Sequence, residues 1–313
     1  MKTIKLFKGA LLVAMSLLFV SCSDDDPVKP VEEKTIVEIV NTNSDFSILR
    51  AAIVRAGLVS TLQGEGTFTV FAPNNAAFQK AGFANESSIE AVPIETLKSI
   101  LLYHTLGSVA SASSLPTAVN TPVKTIEGTN VYVTKSSNGV FVNGAAVGTA
   151  DVKAKNGIIH VIDNVLMPAT GNIVEVLIDK PDFSFLVTAV IRASQGALNV
   201  KNALEGVGPF TVFAPNNQAF IAAGFATTQA LEDADPATLT NILTGHVVEG
   251  LVFSNAIQNN MIATALGEQN VTFSIGNAVT VKGTGNTTAA NIVAVNELTT
   301  NGVIHVIDKV LLP

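Results

Sequence analysis

From residue 34 onward the apolar positions follow a helical period, then a period of two, and that succession is written twice. Residues 35–41 are apolar on Ile36, Ile39 and Val40, which predicts a short helix. Phe46, Leu49, Ile53 and Ala56 then recur at helical spacing behind Asp45, a residue suited to an N-cap, and Gly57 stops them. The second half answers with Ile173, Val176 and Leu177, followed by Asp182 as cap and Phe183, Leu186 and Val190. Residues 67–72 alternate aromatic and polar side chains as a strand does, ending at Pro73, and Asn74 stands where a helix N-cap belongs. Asn216 repeats that arrangement. Residues 94–106 predict a helix through Leu97, Ile100, Leu101 and His104, stopped by Gly107; residues 238–248, stopped by Gly250, are its partner. The last third of each half is β. Residues 131–134 and 140–143 flank a hairpin turn at 136–139, as 271–275 and 279–282 do around Gly276 and Asn277. Asn156-Gly157 and Asn301-Gly302 each feed a final apolar strand.

Two phrases fix the repeat. TFTVFAPNNAAF at 67–78 returns as PFTVFAPNNQAF at 209–220, and NGIIHVIDNVLMP at 156–168 returns as NGVIHVIDKVLLP at 301–313. Pro73 and Pro215 are 142 residues apart, and His160 and His305 are 145 apart. That period is too long for a solenoid unit and suits a whole small domain. The chain therefore predicts two α+β domains, 34–168 and 171–313, each with N-terminal helices and a mostly antiparallel sheet. The joint, Ala169-Thr170-Gly171, is too short to let them separate far.

The first residues belong to neither domain. Lys2, Lys5 and Lys8 precede an apolar run at 9–20. As a helix that run would reach about 18 Å, short of a hydrocarbon core of about 30 Å, so residues 1–21 are expected to be a signal peptide. Cys22, the only cysteine, has no partner for an intrachain disulfide or a thiolate metal site. Its place after Phe19-Val20-Ser21 resembles the lipobox of bacterial lipoproteins, where cysteine becomes the acylated first residue. Residues 22–33 then read as an acidic, lipid-proximal linker, in which Ser23, Asp24, Asp25 and Asp26 resemble the tag that sends lipoproteins of some bacteria to the outer face of the outer membrane. The alternative is that they only solvate a tether. Removing residues 1–21 takes three lysines and no acid from a net charge of −7, leaving −10. Such acidity argues against nucleic acid, whose binding is driven by clustered cations. The membrane contact expected is the N-terminal lipid alone.

All four histidines lie in repeated slots, His104 with His246 and His160 with His305. In the IIHVID strand His160 points with Ile158 and Ile162, while Asp163 points the other way. A His–Asp couple cannot form within that strand, and a buried imidazole needs a hydrogen-bond partner rather than a substrate. His160, Asp163, His246, His305 and Asp308 are thus expected to be structural. His104, at a helix end, is placed where a protonated ring is favoured and can bond to terminal carbonyls. No second histidine or cysteine stands at ligand spacing, and the chain has no GxSxG, HExxH, phosphate-loop or Rossmann pattern, so neither metal nor catalytic residue is expected.

The order of Asp-Phe-Ser, TFTVFAPNN, LLYHTL and NGIIHVIDNVLMP resembles a fasciclin domain, present twice over nearly all of the chain beyond residue 33. The resemblance implies two tandem α+β wedges with a role in extracellular adhesion or protein–protein interaction and no enzymatic chemistry. Taken with the lipobox-like Cys22, it makes the chain resemble a bacterial lipoprotein with two tandem fasciclin domains, for which no cofactor is expected. The expected partner is an extracellular protein or matrix component, with a glycan as a further candidate. Tyr103 and His104 are similar to the family's tyrosine–histidine motif and become the candidate partner-binding residues. Gly245 stands where the second repeat would need the tyrosine, so such binding falls to the first repeat. The alternative is a ligand or polysaccharide capture module beside an outer-membrane uptake system.

Overall fold

A computed structural model describes residues 33–64 and 66–313. The expected signal peptide, Cys22 and nearly all of the expected linker lie outside these residues.

Helix α1 (Ile36–Thr42) begins with a reciprocal cap: the Thr35 hydroxyl accepts from the Glu38 amide, and the Glu38 carboxylate accepts from the Thr35 amide at 2.7 Å. A 3-10 turn, Ser44–Phe46, then leads into α2 (Ser47–Arg55). Asp45 lies inside that turn, so it is not the cap expected of it; Asn43 caps the turn instead. The first turn of α2 is satisfied from a distance. Asn75 Oδ1 accepts from the Ile48 amide at 3.1 Å while its Nδ2 donates to the Ser44 carbonyl. Asp182 is displaced in the same way by the turn Pro181–Phe183, and Asn217 serves the following helix through the Phe185 amide and Pro181 carbonyl. The second asparagine of each APNN phrase is thus a remote helix cap.

After α3 (Val59–Gln63), strand β1 (Phe68–Pro73) runs through Pro73, and Asn74 caps α4 (Asn75–Lys80). Helix α5 spans Ile94–Tyr103, three residues shorter than its pattern predicts. Thr105 and Leu106 leave it to form β2 (Thr105–Leu106), which pairs antiparallel with β1. The remaining strands are β3 (Thr121–Lys124), β4 (Asn130–Ser136), β5 (Gly139–Val142), β6 (Ala145–Ala154) and β7 (Gly157–Ile162). Their order across the sheet is β2-β1-β7-β6-β5-β4-β3, with β1 and β7 parallel and every other pair antiparallel.

The second domain repeats this plan with α6 (Ile173–Ile178), α7 (Ser184–Ala193), α8 (Val200–Glu205), β8 (Phe210–Pro215), α9 (Asn217–Ala222), α10 (Thr228–Glu232) and α11 (Pro236–Thr244). Its strands β9 (Val247–Glu249), β10 (Ile262–Thr264), β11 (Asn270–Ile275), β12 (Val279–Gly283), β13 (Ala290–Thr299) and β14 (Gly302–Ile307) take the equivalent order, with β8 and β14 parallel. The α+β expectation holds in both halves, and their topologies agree.

Because β1 and β7 are covered on both faces, each domain has two apolar layers. Val70, Ala72 and Ile159 face the helices with Leu49, Ile53, Phe78 and Leu97. Phe71 and Ile162 face Val131, Val133 and Val142 on the other side. An asparagine locks the helical layer to the sheet: Asn156 accepts from the Ile36 amide and donates to the Leu62 carbonyl, and Asn301 does the same for Ile173 and Leu204.

The two domains touch. Asn120 Nδ2 donates to the Leu251 carbonyl at 2.6 Å, the rings of Tyr132 and Phe253 lie 6.1 Å apart, and Leu298 packs against the strand-side layer of the first domain. Phe253 is completely buried. Gly144 meets Asn296 so closely that a β-carbon there would collide with its amide.

Candidate functional site

His104 closes α5 with both ring nitrogens occupied. Nε2 accepts from the Leu166 amide at 2.9 Å, so Nδ1 carries the proton and donates to the Ile100 carbonyl at 2.7 Å. That pairing requires the neutral ring. Burial holds its pKa down at about 4, against a weaker opposing effect of the carbonyl bond. The expectation of a protonated ring is therefore corrected: the bond to a terminal carbonyl is present, but desolvation outweighs the helix dipole. His246 is built alike, donating to Ile242 and accepting from Leu311 at 2.8 Å, and is held at about 4 for the same reason. Each of these rings ties a helix end to the segment after the central strand.

His160 and His305 hold a different segment. His160 Nε2 donates to the Ala110 carbonyl at 2.8 Å, its Nδ1 accepts from the Asp151 amide at 3.2 Å, and the ring stacks on Phe71. His305 donates to the Val252 carbonyl and stacks on Phe213; its buried Nδ1 has no partner, and burial holds its pKa at about 4. Two further residues hold the same loop. Thr69 Oγ1 donates to Ser108 and accepts from Ala110, and Asp151 accepts from the Ala112 amide at 2.9 Å. In the second domain Thr211 and Asn296 do this for residues 250–254. Asp151 and Asn296 sit at bulges in β6 and β13 with φ of 58° and 64°, conformations that these side chains tolerate better than most. Sequence reasoning missed the threonines and the bulge residues, although all four recur in matching places.

Asp163 accepts from the Ala146 amide at 2.8 Å and lies 3.7 Å from Lys80 Nζ; Asp308 accepts from the Asn291 backbone and side chain. Neither aspartate bonds to a histidine, as strand alternation requires. Among the described residues no group of three or more His, Cys, Asp and Glu is placed to hold a metal ion.

Tyr103 is completely buried, donates to the Asn130 carbonyl and accepts from Asn143 Nδ2, both at 2.8 Å. Burial raises its pKa well above the usual range. Asn143 in turn accepts from the Tyr132 amide. Neither Tyr103 nor His104 reaches solvent, so neither meets a partner directly; they position β4 and the segment after β7. At Gly245 the second domain has Gln269 lying over the glycine, bonded to Asn241, while Phe273 pairs with Phe213 at 5.3 Å and fills the strand-side layer.

Between the domains is a cleft of about 430 Å³ whose lining includes Lys80, Asn164, Met167, Val295, Asn296 and Leu298. Its rim charges are internally matched: Lys80 bonds to the Asp163 carbonyl at 3.0 Å, and Glu297 pairs with Lys180. Among the described residues no helix is long and apolar enough to cross a membrane.

A family model described as Fasciclin domain matches residues 44–168 and 181–313. Transforming growth factor-beta-induced protein ig-h3 of Sus scrofa is 29% identical over 80% of this chain and 35% of its own length, so the chain spans about a third of that relative. Cell surface glycolipoprotein MPB83 of Mycobacterium bovis is 36% identical over 36% of this chain and 48% of its own. Among solved structures, a FAS1 domain pair from the insect cell adhesion molecule fasciclin I aligns over 85% of this chain and 97% of that one, at 18% identity and a TM-score of 0.41.

Proposed function

This chain belongs to the fasciclin domain family, and from that premise we propose that it is a lipid-tethered surface protein whose two domains bind an extracellular protein or matrix component without catalysis. The observation that carries the non-catalytic part is the state of the motif: His104, His160 and His246 spend both ring nitrogens on backbone partners, and His305 is stacked and buried. The first three rings have no free nitrogen for a substrate proton, and the one unpartnered nitrogen, Nδ1 of His305, is enclosed away from any substrate. Tyr103 and His104 act on binding by positioning the surface strands and loops around them. The chain's similarity to a cell surface glycolipoprotein, MPB83 of Mycobacterium bovis, supports the setting. Outer-membrane display rests on Cys22 and the acidic residues after it.

Cells displaying the chain are expected to retain on a coated matrix extract several times as many bacteria as cells lacking it. Cys22→Ser should abolish palmitate incorporation and move the protein from the membrane fraction to the medium or periplasm, taking the adhesion with it. Unchanged fractionation of that variant would remove the anchor from this reading.

The cleft between the domains favours ligand capture as a second reading, since ligand sites concentrate at domain interfaces and its size suits a small molecule. Val295→Trp, which fills the cleft from its wall, should then cut capture of a soluble glycan or peptide at least tenfold and leave adhesion to matrix unchanged. A glycan array with no hits for the parent chain would retire the polysaccharide form of that reading.

A further inference from the structure

The contact between the domains uses one face of each, and among the described residues the corresponding other face of each is left open. The second domain contributes the loop pinned by Thr211, His305 and Asn296, through Leu251 and Phe253; the first contributes Asn120 and Tyr132. In the first domain the loop that matches is 108–112, pinned in the same way by Thr69, His160 and Asp151, and Val109, the counterpart of Leu251, is 51% exposed. In the second domain the matching strip is Asn260 and Thr272. Asn260 keeps the left-handed backbone of Asn120, with φ of 61° against 53°, and Ile262, paired across the strands with Thr272, is 62% exposed.

We propose that copies of this chain associate head to tail, the Val109 loop of one seated on the Asn260–Ile262–Thr272 strip of the next, so that the joint within the chain recurs between chains. This names a second copy of the chain as a partner within the adhesive role, but it stands on the geometry of the joint and not on that role. Charge favours unlike ends. Residues 34–168 carry nine basic and nine acidic side chains, and residues 171–313 carry five and eleven, so two second domains repel while a first domain meets a second without penalty. The aromatic pair of the internal joint is replaced at the outer ends by Ser111 and Thr272, and Val109 and Ile262 supply the apolar area. The contact between chains is therefore weaker than the one within, which suits molecules crowded on one surface. Being heterologous, it adds copies in a row and does not close as a symmetric pair.

The test is directed cross-linking of the full chain carrying Cys22→Ser, with Val109→Cys in one preparation and Asn260→Cys in another. Mixed under mild oxidation, the two should form a covalent dimer at least tenfold faster than either alone or than Val109→Cys mixed with Glu95→Cys, an exposed position off both faces. A chain carrying both Asn120→Cys and Leu251→Cys should close an internal disulfide and serves as the positive control. Adding Ile262→Asp to the Asn260→Cys partner should remove the tenfold advantage without moving its unfolding midpoint. Mixed dimers forming no faster than the off-face pair, or Asn260→Cys pairing with itself fastest, would overturn the proposal. Adhesion to coated matrix by Ile262→Asp is read separately, so failure of the adhesive reading and failure of self-association are distinguishable.

Discussion

Between pH 6.5 and 4 the protein is expected to lose a large part of its stability, the second domain first. His104, His246 and His305 have folded-state pKa values of about 4, against an ordinary 6.5. In that interval the unfolded chain binds more protons than the folded one. The stabilisation is thus complete above pH 6.5, declines as pH falls, and is gone below about 4. Each shift corresponds to ~3 kcal/mol, one of them in the first domain and two in the second, a large share of the ~5–15 kcal/mol that an ordinary domain possesses. That division sets the order. Glu38 and Asp235, whose pKa values are lowered chiefly by bonds from Thr35 and Thr238, act in the same direction at the acid end. Urea unfolding at pH 7.5, 6, 5 and 4, followed by a probe in each domain, measures this. A midpoint flat across that range would mean the rings are not held neutral.

Tyr103→Ala should cost the first domain ~3–5 kcal/mol, the range for deleting a large buried ring. Part of that comes from Asn143 and the Asn130 carbonyl, which lose their shared hydroxyl inside the layer. Tyr103→Phe isolates this part and should cost ~1–3 kcal/mol. In the second domain Gly245→Ala should be much milder, because its backbone is in the ordinary right-handed region and the atom crowded is the movable end of Gln269. Thermal or urea unfolding gives the stabilities, and adhesion measured on the folded fraction gives the role. If Tyr103→Phe adheres poorly per folded molecule while its stability is unchanged, the residue acts beyond positioning.

The repeat, the α+β class and the interior place of His160 and His305 were legible because each depends on local period or on strict alternation of faces, whereas His104, read as a partner-binding residue, is buried as well. His160 and Asp163 are one such case: three residues apart on a strand, they must diverge, and they bond to Ala110 and Ala146 respectively. What was not legible depends on partners far along the chain. Asp45 has the right chemistry and spacing for a cap, yet the amide it was expected to serve is bonded to Asn75, 27 residues away from Ile48. Helix α5 gives up Thr105 and Leu106 because β1 offers them a strand partner, which a periodicity within residues 94–106 cannot express. The protonation of His104 also depended on burial, and burial of a helix end is a tertiary property. The joint between domains was foreseen only as a short linker, since Tyr132 and Phe253 are 121 residues apart and neither belongs to a repeated phrase.

The parallel pairing of β1 with β7 has a consequence for biosynthesis. Residue Phe68 finds its neighbour only at Gly157, nearly at the close of the module, so the middle of the sheet is finished by the last piece to be made. A nascent chain cannot fold this unit by stages from its N-terminus; it must wait until about residue 162 has emerged and then complete the sheet late, at the cost of a long loop closure. That delay places completion of the first module's sheet almost at the moment the second module begins to be made.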